Sequence, residues 1–272
     1  MSDQMITSRD NALVKRARSI RDGKIHDQIF IEGLRLAEEA QQALSVEGIK
    51  DALYTERIAQ DERGSNLLEK LKRDGLRTTL VSESVFASIS SMKTPQGIVL
   101  LASRPRTVRG ELLRNLNETP LIVVMHRINN PSNAGAILRT AEAAGASGAI
   151  LTEGTTNIFS PKALRGAMGS SFRLPLWTGA SFDEALSFCQ KHSIRTISTD
   201  LKAERTHTEI GWTQPSAFIV GEEATGLNSN EIAAADESVR IPMRATVESL
   251  NVAVAAGVIL YEAARQRAAG GR

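Results

Sequence analysis

Short apolar runs alternate along the chain with stretches in which apolar residues recur every three or four positions. In the front part, Ile29-Phe30-Ile31, Thr78 to Val81 and Gly97 to Ala102 have the length and composition of strands, while Leu34 to Leu44 and Leu67 to Arg73 have helical spacing. Past Pro120 the alternation becomes regular. It predicts strands at 121–125, 148–152, 194–198 and 216–220, and helices at 133–145, near 161–168, at 182–192 and at about 249–266. Strands that alternate with helices predict an α/β fold, mostly parallel and covered on both faces. Between the two parts, Ser103 to Gly110 is polar, basic and broken by Pro105 and Gly110. That break divides the chain into a smaller α/β domain, residues 1 to about 106, and a second domain, about 112 to 272. The Ala/Gly/Arg tail after Glu262 is expected to fray.

Composition narrows the classes. Of 272 residues, 42% are hydrophobic and 4% aromatic, enough to build a core but too few rings for a binder that stacks single-stranded bases. No apolar run approaches the ~20 residues that span a bilayer, and Met1 to Asp10 lack a secretory signal, so a cytoplasmic protein is expected. Cys189 is the single cysteine, and four scattered histidines have no zinc-ligand spacing. Disulfide scaffold and structural zinc are thereby disfavoured, and no metal is expected. The formal charge of +2 hides a cluster, Lys15, Arg16, Arg18, Arg21 and Lys24. It suits either a solvated helix or a surface that meets a phosphate backbone.

Ligands of open α/β sheets gather at the carboxyl ends of strands, and three post-strand segments there are unusual. His126 to Ala141 runs from a polar loop through Asn133, placed as an N-cap, into an apolar helix holding Arg139. That arginine either snorkels to the surface or meets an anion near the helix start. Val220 to Leu227 sets Glu222 and Glu223 between two glycines, a tight turn that a ligand can approach; an ordinary strand-to-helix turn has the same makeup. Ile241 to Ala255 places Ser249 as a helix cap, with Asn251 among Leu250, Val252 and Val254, where an amide needs partners.

These segments together resemble the SpoU family of RNA ribose 2′-O-methyltransferases, within the SPOUT class. Asn130 to Ala141 matches the pattern D-P-x-N-x-G-A-I-x-R-T-A; Gly221, Glu223, Gly226 and Leu227 match G-x-E-x-x-G-L; Ile241 to Ala255 matches I-P-M followed by S-L-N-V-x-x-A. In front, Ile6 to Lys15, Phe30-Ile31-Glu32-Gly33 and Thr94 to Ile98 are similar to the family's L30e-like substrate-binding domain. The resemblance therefore covers nearly the whole chain. It departs at Asn130 and His126, where the family usually carries Asp, and at Asp27 and Gln28, where many relatives carry Arg.

The resemblance implies a trefoil-knotted carboxyl-terminal domain that binds S-adenosylmethionine, with Thr199, Gly221, Ile241, Met243 and Leu250 around the cofactor. It implies methyl transfer to a ribose 2′-hydroxyl, most readily of 23S ribosomal RNA. Arg139 has the decisive role, and Asn133, Glu223, Ser249 and Asn251 position the groups. Lys15, Arg16 and Arg18 are the candidate RNA contacts. A homodimer is implied through the final helix, with Val254 or Ala255 at the seam. The alternatives are the same chemistry on tRNA, or a silent RNA-binding protein that keeps the front domain. A dinucleotide enzyme would need a glycine fingerprint after the strand at 121–125, where Asn129-Asn130-Pro131 stands instead.

Overall fold

The computed structural model describes residues 5–116 and 119–270. In chain order the elements are α1 (Ala12–Arg21), β1 (Gln28–Glu32), α2 (Leu34–Ala43), β2 (Ile49–Tyr54), α3 (Glu56–Gln60), α4 (Glu62–Arg73), β3 (Arg77–Leu80), α5 (Glu83–Ile89) and β4 (Ile98–Ser103). There follow α6 (Arg109–Arg114), β5 (Leu121–Met125), α7 (Pro131–Ala143), β6 (Gly148–Thr152), α8 (Pro161–Ala167), α9 (Ser170–Arg173) and β7 (Leu176–Ala180). The chain closes with α10 (Phe182–Lys191), β8 (Arg195–Thr199), β9 (Ser216–Val220), α11 (Ser229–Ala233), β10 (Glu237–Val239) and α12 (Val252–Gly270). Contacts gather these elements into two compact units.

The first unit holds Met1–Pro105 together with Phe159–Phe172. The reading of the chain assigns that second segment to the other domain, because it lies between two of its strands. Its apolar positions Ala163, Leu164 and Ala167 are buried, and α8 packs on β1. The sheet of this unit runs β1-β4-β2-β3, antiparallel at β1–β4 and β4–β2 and parallel at β2–β3. Val14, Ala17 and Ile20 of α1 join Phe30, Leu53, Phe86 and Leu101 in its core. The spacing of those α1 residues turns the basic residues between them outward and sideways.

The second unit, Arg106–Ile158 with Arg173–Arg272, carries a six-stranded sheet in the order β10-β8-β9-β5-β6-β7. Every pairing in it is parallel. β5, β6 and β9 are buried along their whole length, as expected of strands covered on both faces. From β5 the chain builds outward to β7, then returns to the other side of β5. The order therefore reverses between β5 and β9, and loops leaving the carboxyl ends of these two neighbours diverge around a crevice.

Helix ends differ from expectation in a consistent way. α7 starts at Pro131 with Asn130 as its cap, whose Oδ1 accepts the Ser132 N–H at 2.9 Å; Asn133 sits inside the first turn. α12 starts at Val252, where Asn251 Oδ1 accepts from the N–H groups of Ala253 and Val254 at 3.0 and 3.3 Å. Asn251, not Ser249, is the cap, and it is exposed rather than buried. Of the tail after Glu262, residues 263–270 are helical, and Arg267 anchors them by donating to the carbonyls of Pro120, Trp212 and Gln214.

Candidate active site

The polar loop after β5 meets the glycine loop after β9 through one carboxylate. Glu223 accepts from the backbone N–H of Asn129 (3.3 Å), the N–H of Asn130 (3.1 Å) and the Nδ2 amide of Asn133 (3.3 Å). Burial opposes the charge of Glu223, yet its own backbone N–H and these donors overcome it and hold the carboxyl below the usual range. Asn133 in turn accepts at Oδ1 from Asn251 Nδ2 at 3.2 Å. Glu223 of the glycine loop, Asn133 in the first turn of α7 and Asn251 at the start of α12 thus form one hydrogen-bonded chain at the sheet's switch point. Glu222 joins from the side, accepting from Asn129 Nδ2 and Thr225 Oγ1.

The turn behind Glu223 exists because of its first glycine. A Cβ on Gly221 would come within 2.6–2.8 Å of the Gly226 carbonyl and the Leu227 nitrogen. No side chain fits there, and backbone crosses backbone. Gly226, at φ +68°, closes the turn by donating its N–H to the Glu222 carbonyl.

Residues 241–250 are built differently. Ile241 and Met243 are half-buried and Leu250 is 37% exposed. Within this segment the described residues make a single backbone hydrogen bond, Val247 N–H to the Arg244 carbonyl. Apolar side chains beside open backbone donors and acceptors are what a purine nucleoside requires, with apolar faces and a polar edge. The residues present therefore fit the adenosyl half of S-adenosylmethionine. Thr199 ends β8 with its Oγ1 turned to the Ile219 carbonyl at 3.3 Å, one residue from the end of β9.

Arg139 and Ser249 are not drawn into the Glu223 network. Both are exposed, and Arg139 has no hydrogen bond or ion pair among the described residues. On α1, Arg16 is committed internally: Nη1 pairs with the buried Asp51 at 2.8 Å, and Nε and Nη2 donate to Gln28. Arg18 donates to Ser88 Oγ and the Arg9 carbonyl, and Lys15 pairs with the exposed Asp10 at 3.0 Å.

Sequence reasoning missed Glu231 altogether. It caps α11 reciprocally with Asn228, and it takes His126 and Arg127 from more than 100 positions away. A capping box at Asn228-x-x-Glu231 was the one local signal available.

Residues 120–261 match the SpoU rRNA Methylase family, and residues 30–108 match the family of RNA 2′-O ribose methyltransferase substrate binding domains. The chain belongs to the SpoU family. Over 265 residues it is 34% identical to an uncharacterized tRNA/rRNA methyltransferase of Synechocystis, covering 96% of this chain and 94% of that one. It is 31% identical to the 23S rRNA (guanosine-2′-O-)-methyltransferase RlmB of Coxiella burnetii over 83% of this chain and 94% of the relative. An AdoMet-bound rRNA methyltransferase from Sinorhizobium meliloti superposes with a TM-score of 0.81 at 28% identity, over 96% of this chain and 97% of that one. As a SpoU enzyme the chain is an S-adenosylmethionine-dependent RNA methyltransferase that acts on a ribose 2′-oxygen. No helix among its described residues is long and apolar enough to cross a membrane.

Proposed function

We propose that this enzyme methylates a ribose of 23S ribosomal RNA in the cytoplasm, with its reacting centre between the loops after β5, β9 and β10. The supporting observation is the chain Asn251–Asn133–Glu223, which ties the three family segments together through side chains. The bound cofactor supplies an electrophilic methyl group. Ile241, Met243 and Leu250 would hold its adenine, and Gly221 and Thr199 would line the ribose side. Asn133 and Asn251, with Ser249, orient the incoming ribose. Arg139, exposed and without a partner among the described residues, holds the phosphate next to that ribose and stabilises the developing charge on the 2′-oxygen. A guanidinium with a pKa above about 12 serves better as a fixed cation than as a base. The carboxyl-terminal chain forms the family's trefoil knot.

The first unit carries the RNA. Lys15 and Arg18 are available at modest cost, since their partners are exposed or neutral. Arg16 contributes by keeping α1 in place over Asp51. Two chains pair through α12. Val252, Ala256, Ile259, Leu260 and Ala263 are buried within the chain, so these do not form the seam, but Val254, Val258 and Tyr261 stand 53%, 37% and 56% exposed at helical spacing. Such a stripe fits a two-fold partner. A monomer at micromolar concentration in sedimentation equilibrium would remove this assembly.

The test of the reading is Arg139→Ala. Cofactor binding by calorimetry should stay within about threefold, while methyl transfer to 23S rRNA falls by about 100-fold or more. Arg139→Lys should restore little, because the fork that grips phosphate is lost. Normal turnover by the alanine variant would sink the assignment.

A further inference from the structure

The start of the loop after β5 contains a conformational oddity with no role so far. Arg127 has φ +53°, a left-handed backbone that a non-glycine residue keeps only where its surroundings impose it. Here the surroundings do. The Arg127 N–H donates to Thr152 Oγ1 at 3.2 Å, and Thr152 Oγ1 lies 2.9 Å from His126 Nδ1. His126 Nε2 lies 3.1 Å from Glu231 Oε1, and Arg127 Nη2 returns to the same carboxylate, 2.9 Å from Oε1 and 3.2 Å from Oε2. The four residues close a ring from the Arg127 backbone to its own side chain.

Chemistry fixes the protons. Burial opposes the charge of Glu231, but the Asn228 N–H, His126 and Arg127 together hold its carboxyl below the usual range, so it only accepts. His126 therefore carries its proton on Nε2, and Nδ1 accepts from the Thr152 hydroxyl. Burial keeps the imidazole neutral by pushing its pKa down. His126 is 5% exposed, tilts against the Phe182 ring at 4.6 Å, and has Arg127, Glu231 and Glu222 as its charged neighbours. Gly154 makes the space: a Cβ there would sit 3.1 Å from Arg127 Cγ. The loop that leaves this ring reaches Asn129, Asn130 and Asn133, which Glu223 grips from the opposite side.

We propose that His126, Arg127, Thr152 and Glu231 are positioning residues for methyl transfer, a closed ring that sets the path of the loop presenting Asn130 and Asn133 to the ribose. The proposal rests on the reading of that loop as the ribose side of the site. His126 and Arg127 do this work through an imidazole and a guanidinium instead of a short acid, and Glu231 balances both.

The experiment compares Thr152→Val with Thr152→Ser, using a 23S rRNA transcript and tritiated S-adenosylmethionine. Valine keeps the volume and breaks the ring, whereas serine keeps the hydroxyl. Val should lower kcat about 10–100-fold with KM for the cofactor within about twofold, and Ser should stay near wild type. Equal kcat for Val, Ser and wild type, with melting temperatures unchanged, overturns the ring. If the valine variant does not fold, Glu231→Gln replaces it, which sets an amide N–H against the guanidinium; it must show the same fall in kcat, and wild-type kcat in that variant overturns the proposal. A wild-type enzyme that binds cofactor yet leaves ribose unmethylated overturns the functional reading itself, and the ring with it.

Discussion

Two loops of the same sheet frame the site, and they are held in opposite ways. Residues 126–133 are tied at both ends, His126 and Arg127 by Thr152 and Glu231, and Asn129, Asn130 and Asn133 by Glu223. Residues 241–250 make a single internal backbone hydrogen bond and leave Val247 and Leu250 open to solvent. The first loop is finished before any ligand arrives, which suits a surface that must aim a reacting group to within a fraction of an ångström. The second has unspent donors, acceptors and apolar area, which the proposed cofactor would use. In the function proposed here, one loop aims and the other receives.

The contrast breaks most sharply at Glu223. Glu223→Ala removes the acceptor shared by Asn129, Asn130 and Asn133, and kcat should fall about 100-fold or more, while the buried strands keep the fold. Single-turnover methylation with saturating cofactor measures this directly, and a variant at wild-type rate would show that the loop holds itself.

Amide hydrogen exchange sharpens the other half. Saturating S-adenosylmethionine should slow exchange across 241–250 by about tenfold or more and leave His126, Arg127, Asn129, Asn130 and Ser132 nearly unchanged, since those amides are already bonded. Equal protection of both loops would contradict the division.

The smallest effect is on acid stability. His126 is held below its ordinary pKa of 6.5 by burial, so the unfolded chain takes up a proton first and stability declines as pH falls below about 6.5, levelling once the folded imidazole is also protonated. Glu223 and Glu231 are held below the ordinary 4.5, so their contribution is complete above that pH and is lost as pH falls through their folded values. All three act in the same direction. Melting temperature should drop in two stages on acidification, and His126→Gln should abolish the upper one.

Much of this was legible in the chain itself. β5, β6 and β9 announce themselves because strands buried on both faces are apolar throughout, and the family segments after β5, β9 and β10 fall where the sheet brings them together. Other elements gave no such pattern. β2 carries Lys50 and Asp51, one exposed and the other buried against Arg16; β7 contains Thr178 and Gly179; β10 is three residues long. Caps were misplaced because Asn130, Asn133, Ser249 and Asn251 are all competent cap residues, and only the backbone path selects among them. The partnership of His126 with Glu231 depends on tertiary structure alone.

The excursion of Phe159–Phe172 has a consequence for modularity. The polypeptide passes between the two units at 105/106, 158/159 and 172/173, so neither unit corresponds to one uninterrupted stretch of gene. Cutting after residue 106 would strip the partner surface from Ala163, Leu164 and Ala167, which are fully buried, leaving a greasy flap within the catalytic half. The front half would lose the segment that covers β1. An evolutionary exchange of RNA-recognition modules in this architecture must therefore carry two pieces of sequence at once, and a recombination event that brings only the first yields a poorly sealed protein.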